Sequence, residues 1–211
     1  VYKRQIIKSG KFGFFIMLLI LLPLCGNIDY VLGLWLVDVP AHTANFVVLV
    51  LLYSLLDGIL TPIAIGVFAQ GEIKAYEIAL CIIYAVNFIA SYVCLKLGMA
   101  PETVFVLNIA FKACVLADLL VHSKAKYAFP VHAFLKQCLL PSAVVFVLSG
   151  AFTYFMPWEA PNSFWEFLLH TLAIIICTSL MALAIGMTKG ERLFLKKNLR
   201  DKITVKLYRK I

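Results

Sequence analysis

Two ionisable residues lie deep inside long apolar stretches of the sequence. Asp57 is midway through residues 43–69, and Lys112 is midway through residues 102–121. A charge near the centre of a bilayer costs at least about 2.5–3.5 kcal/mol, so such residues usually face a bundle interior or a water-filled cavity. We therefore interpret Asp57 as a candidate ion-coupling residue that takes up a proton or a cation. Lys112 is a candidate substrate-binding cation that attracts an anion.

Structural roles are open for both residues. Asp57 could pair with a neighbouring helix or bind backbone groups that a nearby proline leaves free. Lys112 could pair with a carboxylate such as Asp57, or extend along its aliphatic stem towards a membrane surface. The sequence does not decide between these roles and the functional ones.

Uncharged polar residues accompany this pair on the neighbouring stretches. Asn108 lies one helical turn before Lys112, and Asn87 has Tyr84 and Ser91 one turn to either side. We predict that Asn108, Asn87 and Tyr84 join Lys112 in binding substrate, because amide and hydroxyl groups suit sugar hydroxyls. Hydrogen bonding between helices produces the same pattern and is the alternative.

The elements that carry these residues are predicted from composition. The chain is 63% hydrophobic and 14% charged, with a mean hydropathy of +0.96, which excludes an ordinary soluble domain. A helix needs about 20 apolar residues to cross a bilayer, and runs of this length indicate helices and not barrel strands. The predicted fold class is an all-α membrane protein, a bundle of about six transmembrane helices. The predicted helices cover residues 12–34, 43–69, 75–95, 102–121, 137–156 and 165–187.

Charged residues predict the orientation of the bundle. Basic residues precede the first stretch and occupy every second connection, whereas the other connections carry mainly Asp and Glu. By the positive-inside rule, both ends of the chain are cytoplasmic. The three tryptophans then fall at the outer boundary, where indole rings favour the interface. These are Trp35, Trp158 and Trp165.

The chain divides into residues 1–188, a six-helix transmembrane lobe, and residues 189–211, a basic cytoplasmic tail. In the tail, Leu195, Leu199 and Ile203 recur at helical spacing among Lys and Arg residues. This amphipathic pattern is typical of a segment that lies on anionic headgroups, although a partly ordered tail that only enforces topology has the same composition.

Two prolines lie inside predicted helices. Pro23 is in the first, and Pro62 is in the second between Gly58 and Gly66. Proline removes a backbone hydrogen bond and can bend a helix. We predict hinge roles for Pro23 and Pro62, with ordinary helix packing as the alternative.

Motifs for enzymatic or metal chemistry are missing. The sequence has no HExxH, no GxSxG and no phosphate-binding glycine loop, and its six cysteines and four histidines are scattered. We predict no catalytic residues, no metal site and no cofactor. The basic residues flank apolar stretches and form no aromatic-interleaved patch, so nucleic acid is not an expected partner.

A series of short motifs runs in order from the first stretch to the third. They are Lys11-Phe12-Gly13-Phe14-Phe15, Leu34-Trp35-Leu36, Val39-Pro40, Tyr53-Ser54-Leu55-Leu56-Asp57, Gln70 to Glu77, and Leu95 to Glu102. In order and spacing they resemble the polysaccharide (O-antigen, Wzx-type) flippases of the multidrug/oligosaccharidyl-lipid/polysaccharide exporter superfamily. The similarity continues more loosely to Lys189–Arg192.

The resemblance implies the C-terminal part of a two-lobed exporter. Its partners would be the N-terminal lobe of the same protein, membrane lipids and a lipid-linked oligosaccharide on undecaprenyl pyrophosphate. This substrate would cross the bacterial inner membrane by alternating access, and Lys112 would attract its pyrophosphate. The alternatives are a drug antiporter of the same superfamily, and a membrane scaffold or lipid-phosphate enzyme of polysaccharide assembly.

Overall fold

The computed structural model describes residues 2–71, 73–155, 161–188 and 190–193. This part of the chain contains helices and no strands, and six of its helices are long and apolar enough to cross a membrane. The predicted all-α membrane bundle is therefore confirmed. We number the helices as the first to sixth spans, in the order Tyr2–Gly26, Thr43–Phe68, Lys74–Lys96, Glu102–Tyr127, Val131–Phe155 and Phe164–Gly186.

The first span differs from its prediction at both ends. The helix begins at Tyr2 and ends at Gly26, and a separate short helix, Ile28–Gly33, follows Asn27. The prediction of one helix over residues 12–34 was wrong because hydropathy measures the length that lies in hydrocarbon, not the length of the helix. Before residue 12 the helix continues because Ile6 and Ile7 are buried against the bundle.

Two other boundaries shift for the same reason. The fourth span extends to Tyr127, beyond the predicted end at residue 121. The fifth begins at Val131 and includes a π-helical stretch, Leu135–Leu139, so Lys136 lies within the helix and not in the connection before it. The sixth ends in a second π-helical stretch, Ala182–Gly186.

The first span is central in the bundle. It packs against the second, fifth and sixth spans, while the fourth span packs against the second and the third. The third span therefore lies at one edge of the described bundle. The second and fourth spans, which carry Asp57 and Lys112, are direct neighbours.

Neither proline acts as a simple break. The second span is continuous through Pro62, and the first continues past Pro23 to Gly26. The helix ends near Asn27, whose Nδ2 donates to the Pro23 carbonyl at 2.9 Å. The hinge roles stay predictions.

The first and second spans touch backbone to backbone near Pro62. Proline has no N–H, so the Gly58 carbonyl four residues earlier lacks its helical donor. That oxygen would lie 3.3 Å from a Cβ atom on Gly13, which is tighter than an ordinary contact, so glycine lets the two helices approach more closely than a larger residue would. The contact holds the first span beside Asp57, the residue before Gly58.

The two ends of the bundle have different polar contacts. At one end, His42 contacts the Glu102 carboxylate and Tyr30 stacks on Phe167, which brings Trp35 and Trp165 to the same end. At the other end, Tyr76 packs edge-on against His122. Trp35 and Trp165 thus lie at the same end of the bundle, as predicted. Trp158 and residues 194–211 lie outside the described residues. Which end is cytoplasmic stays a prediction.

Candidate functional site

The candidate site is an ion pair between the middles of two neighbouring spans. Lys112 Nζ lies 2.6 Å from Asp57 Oδ1. Pairing is therefore the arrangement that the structure shows for Lys112, and its side chain does not extend towards a membrane surface. The pair is asymmetric in its surroundings, because the Lys112 side chain is 8% exposed and the Asp57 side chain is 43% exposed.

Two tyrosines complete the surroundings of the Lys112 ammonium. Tyr53 lies one turn before Asp57, and Lys112 Nζ is 4.2 Å from the centre of its ring. A cation over an aromatic face is attracted by the negative potential of the ring. Tyr84, from the third span, interacts with the Tyr53 side chain. The predicted site residues Asp57, Lys112 and Tyr84 thus belong to one cluster, and Tyr53 is a further member that was not among the predicted site residues.

Asn87 and Asn108 join the third and fourth spans. Asn87 is buried, and its Nδ2 donates a hydrogen bond to Asn108 Oδ1. This is the interhelical hydrogen bond that the sequence offered as the alternative to sugar binding. Within the described residues, Asn87 Oδ1 has no hydrogen-bond partner, so the pair retains one free acceptor. A role in binding substrate stays a prediction for both asparagines.

The open side of the cluster faces away from the described bundle. Tyr53, Asp57 and Thr61 recur at helical spacing on the second span, Thr61 is exposed, and Tyr84 is 44% exposed. An ionised carboxylate at this depth is expensive against hydrocarbon. Water or polar protein is therefore the environment that this face requires.

An apolar cleft of about 300 Å³ lies on the other side of the second span. The first, second, fourth and fifth spans line it, with Leu55, Ile109 and Phe146 among its walls. Ser142 also lines it, and the buried hydroxyl of Ser142 has no partner among the described residues. The lining is otherwise apolar, so the cleft does not extend the polar site.

A second buried ion pair was not expected from the sequence. Lys11 is one of the basic residues that precede the predicted first helix at residue 12, but it lies within the observed helix and its side chain is 1% exposed. Its Nζ is 2.6 Å from Oε2 of Glu191, which follows the sixth span and is 9% exposed. One signal was present: Lys11 shares a helical face with the apolar residues Ile7, Phe15 and Leu18.

The chain after the sixth span positions Glu191. Thr188 N donates to Glu191 Oε2 at 2.8 Å, and Glu191 N donates to Thr188 Oγ1 at 3.4 Å, which is the reciprocal pattern of a capping box. Arg192 Nε donates to the Met187 carbonyl at 3.1 Å, and another nitrogen of Arg192 donates to the Ala184 carbonyl. Arg192 therefore binds carbonyls at the end of the π-helical stretch.

The electrostatics of Glu191 follow from these donors. Burial by itself raises the pKa of a carboxyl group. The hydrogen bonds from Lys11 and from the Thr188 backbone outweigh burial, so the pKa of Glu191 lies below its ordinary value. Glu191 is thus held in its charged form opposite Lys11.

Asp118 and His122, at the end of the fourth span, approach to 3.2 Å between Oδ1 and Nδ1. This pair lies about two turns beyond Lys112 along the same helix.

No protein-family model, no curated protein and no solved structure matches the chain. The resemblance to polysaccharide flippases therefore stays a prediction carried by motif order and spacing.

Proposed function

We propose that this protein moves an anionic, lipid-linked oligosaccharide across the bacterial inner membrane by alternating access, with Asp57 and Lys112 as its coupled binding site. One observation carries the proposal. The ion pair lies midway along two membrane spans, and its carboxylate is open while its ammonium is buried.

The open carboxylate makes exchange between two partners of Lys112 physically reasonable. When Asp57 takes up a proton it loses its charge, and the Lys112 ammonium becomes free to bind a phosphate oxygen. When Asp57 releases the proton, it competes with the phosphate for the same ammonium. Each proton that enters is matched by one negative charge of the substrate, so neither state leaves an uncompensated buried charge.

The tyrosines suit the sugar part of such a substrate. Tyr53 and Tyr84 offer aromatic faces and hydroxyl groups beside the ion pair, and Thr61 adds a hydroxyl on the same open side. A few polar groups among aromatic side chains are typical of binding sites for small molecules. We propose that the N-terminal lobe of the exporter faces this side, so that the substrate passes between the lobes.

The test replaces each charged partner in the chromosomal copy of the gene. Lys112→Met keeps the length of the side chain and removes its charge, and Asp57→Asn imitates the protonated carboxyl group. Lys96→Met, at the end of the third span, is the matched control. We expect Lys112→Met to lower surface polysaccharide at least about tenfold, because a hydrogen bond to a charged group contributes roughly 1.5–3 kcal/mol. Lipid-linked oligosaccharide should accumulate on the inner side at an unchanged level of protein.

Normal surface polysaccharide in both Lys112→Met and Asp57→Asn would contradict the proposal. Loss of export in Lys96→Met as well would show a general defect and not a role of this pair.

A second candidate function is export of small cationic compounds. It is favoured by the same asymmetry, because the open partner is the carboxylate and a cation would reach Asp57 first. Under this alternative, Asp57→Asn raises drug susceptibility while surface polysaccharide is normal in both variants. Measuring both properties in the same strains separates the two functions.

A further inference from the structure

The first span contacts the rest of the bundle through two different faces. One face touches the second span, where Gly13 meets Gly58 beside Asp57. On the other face, Lys11 pairs with Glu191, and Phe15 packs against Gly186 at the end of the sixth span. A movement of the first span changes both contacts.

We propose that the Lys11–Glu191 pair is a latch that fastens the first span to the segment after the sixth span and opens during transport. The proposal rests on the proposed function, because alternating access is what requires the first span to move. The latch consists of Lys11 and Glu191 together with Thr188, whose N–H also holds the carboxylate.

The sealed position of the pair is the first reason. Removing two charges from water is expensive, and apolar residues of similar size often stabilise a buried site as well or better. A sealed pair is therefore a weak way to gain stability. Its best-attested use is to specify one arrangement among several, which is what a latch does.

The surroundings of the pair are the second reason. Two π-helical stretches border the same part of the first span. In Leu135–Leu139, the sulfur of Cys138 lies 3.7 Å from a Cβ position on Gly10. In Ala182–Gly186, Gly186 packs against the ring of Phe15. π-Helical turns are uncommon and are often found at functional sites. Here the two stretches give the fifth and sixth spans surfaces that fit the first span in one position.

The path from the latch to the ion pair is the third reason. Lys11 and Gly13 are two residues apart on one helix, and Gly13 contacts the residue next to Asp57. A shift of the first span that separates Lys11 from Glu191 also displaces Gly13 from Gly58. The latch and the Asp57 site therefore share one rigid element, and their coupling is open to direct measurement.

Cys138 is a natural reporter of latch opening. It is fully buried against Gly10, so a maleimide reaches its thiol only when the first span moves away. The experiment replaces the other five cysteines, which are unpaired, with alanine and measures the rate of N-ethylmaleimide labelling in native membranes. Labelling does not depend on which substrate the protein moves.

Single and double variants test the latch. Lys11→Met and Glu191→Gln should each speed Cys138 labelling at least about tenfold, because breaking a buried pair favours local opening. Lys8→Met, an exposed lysine one turn away, should leave the rate unchanged. The double variant Lys11→Met with Glu191→Leu replaces the two charges with an apolar contact that favours the closed arrangement, so labelling should be slower than in the parent.

The double variant also separates a latch from a merely structural contact. If the pair must open and close, a permanent apolar contact lowers surface polysaccharide although the protein is folded and slowly labelled. Normal export by the double variant would overturn the proposal, and so would unchanged labelling in both single variants. If the proposed transport function fails, surface polysaccharide is normal in the Lys112→Met and deletion strains, while the labelling rates still report whether the latch opens.

Discussion

Among the residues that the structure describes, two lysines are buried, and each is paired with a carboxylate whose exposure to solvent differs between the two pairs. Lys11 and Lys112 each place Nζ 2.6 Å from a carboxylate oxygen. Around Lys11 both partners are sealed, at 1% and 9% exposure, whereas the partner of Lys112 is 43% exposed. Distance therefore does not distinguish the two pairs, but access to the carboxylate does.

This difference separates the two roles that we propose. A sealed pair cannot exchange partners without a movement of the helices around it, so it reports and controls conformation. An open pair can exchange its carboxylate for another anion without such a movement. The neighbours agree with this division, since Glu191 belongs to a capping box and Asp57 lies on an exposed polar face.

The largest expected effect is the loss of stability in Lys11→Met. It leaves Glu191 buried without its cation, and breaking a buried pair costs about 3–5 kcal/mol. Thermal unfolding of the purified protein in detergent measures this, with Lys8→Met as the control at about 0.5 kcal/mol or less. If the unfolding midpoint of Lys11→Met is close to that of Lys8→Met, the Glu191 carboxylate is readily hydrated once Lys11 is removed, and the prediction is wrong.

Lys112→Met should destabilise the protein less, although it should lower export at least about tenfold. The Asp57 carboxylate left behind is nearly half exposed, so solvation replaces much of the lost attraction and the expected cost is about 1–2 kcal/mol. The same unfolding assay compares the two lysine variants. Equal losses at Lys11 and Lys112 would remove the distinction between a sealed and an open pair.

Lowering the pH should remove the contribution of the Lys11–Glu191 pair to stability. The pKa of Glu191 is lowered on folding, so its contribution to stability is fully present above its ordinary value of 4.5 and is lost as the pH falls through the lowered value. Glu191→Gln should therefore be less stable than the parent at pH 7. The two unfolding midpoints should converge progressively as the pH falls below 4.5. If the difference between the two midpoints stays constant down to pH 3, the lower stability of Glu191→Gln comes from packing and not from charge.

The smallest expected effect concerns the aromatic partner of Lys112. Tyr53→Leu removes the ring that faces the ammonium, and cation–π contacts contribute about 0.5–2 kcal/mol. Export should fall several-fold while the protein stays folded. Tyr92→Leu, an exposed tyrosine on the third span, is the control. If Tyr53→Leu and Tyr92→Leu export equally, the Tyr53 ring takes no part in transport and the binding site consists of its charged residues.

Much of the fold was predictable because the bilayer acts on the chain segment by segment. Each apolar stretch must satisfy its backbone internally, so length and composition alone predicted the six spans. The ends of the helices were not predictable in this way. Ile6, Ile7 and Tyr127 belong to helices because they pack against other spans, and hydropathy carries no information about such partners.

The sequence by itself determined the bundle of apolar helices and selected Asp57 and Lys112, because an ionisable residue inside hydrocarbon is costly wherever its helix packs. It also offered their pairing as one of several arrangements. Only the tertiary structure decided that Lys112 pairs with Asp57, that this carboxylate is open, and that Lys11 is sealed against a residue 180 positions away. Burial and partnership depend on which helix faces meet, and a pattern along one helix does not contain the position of its neighbours.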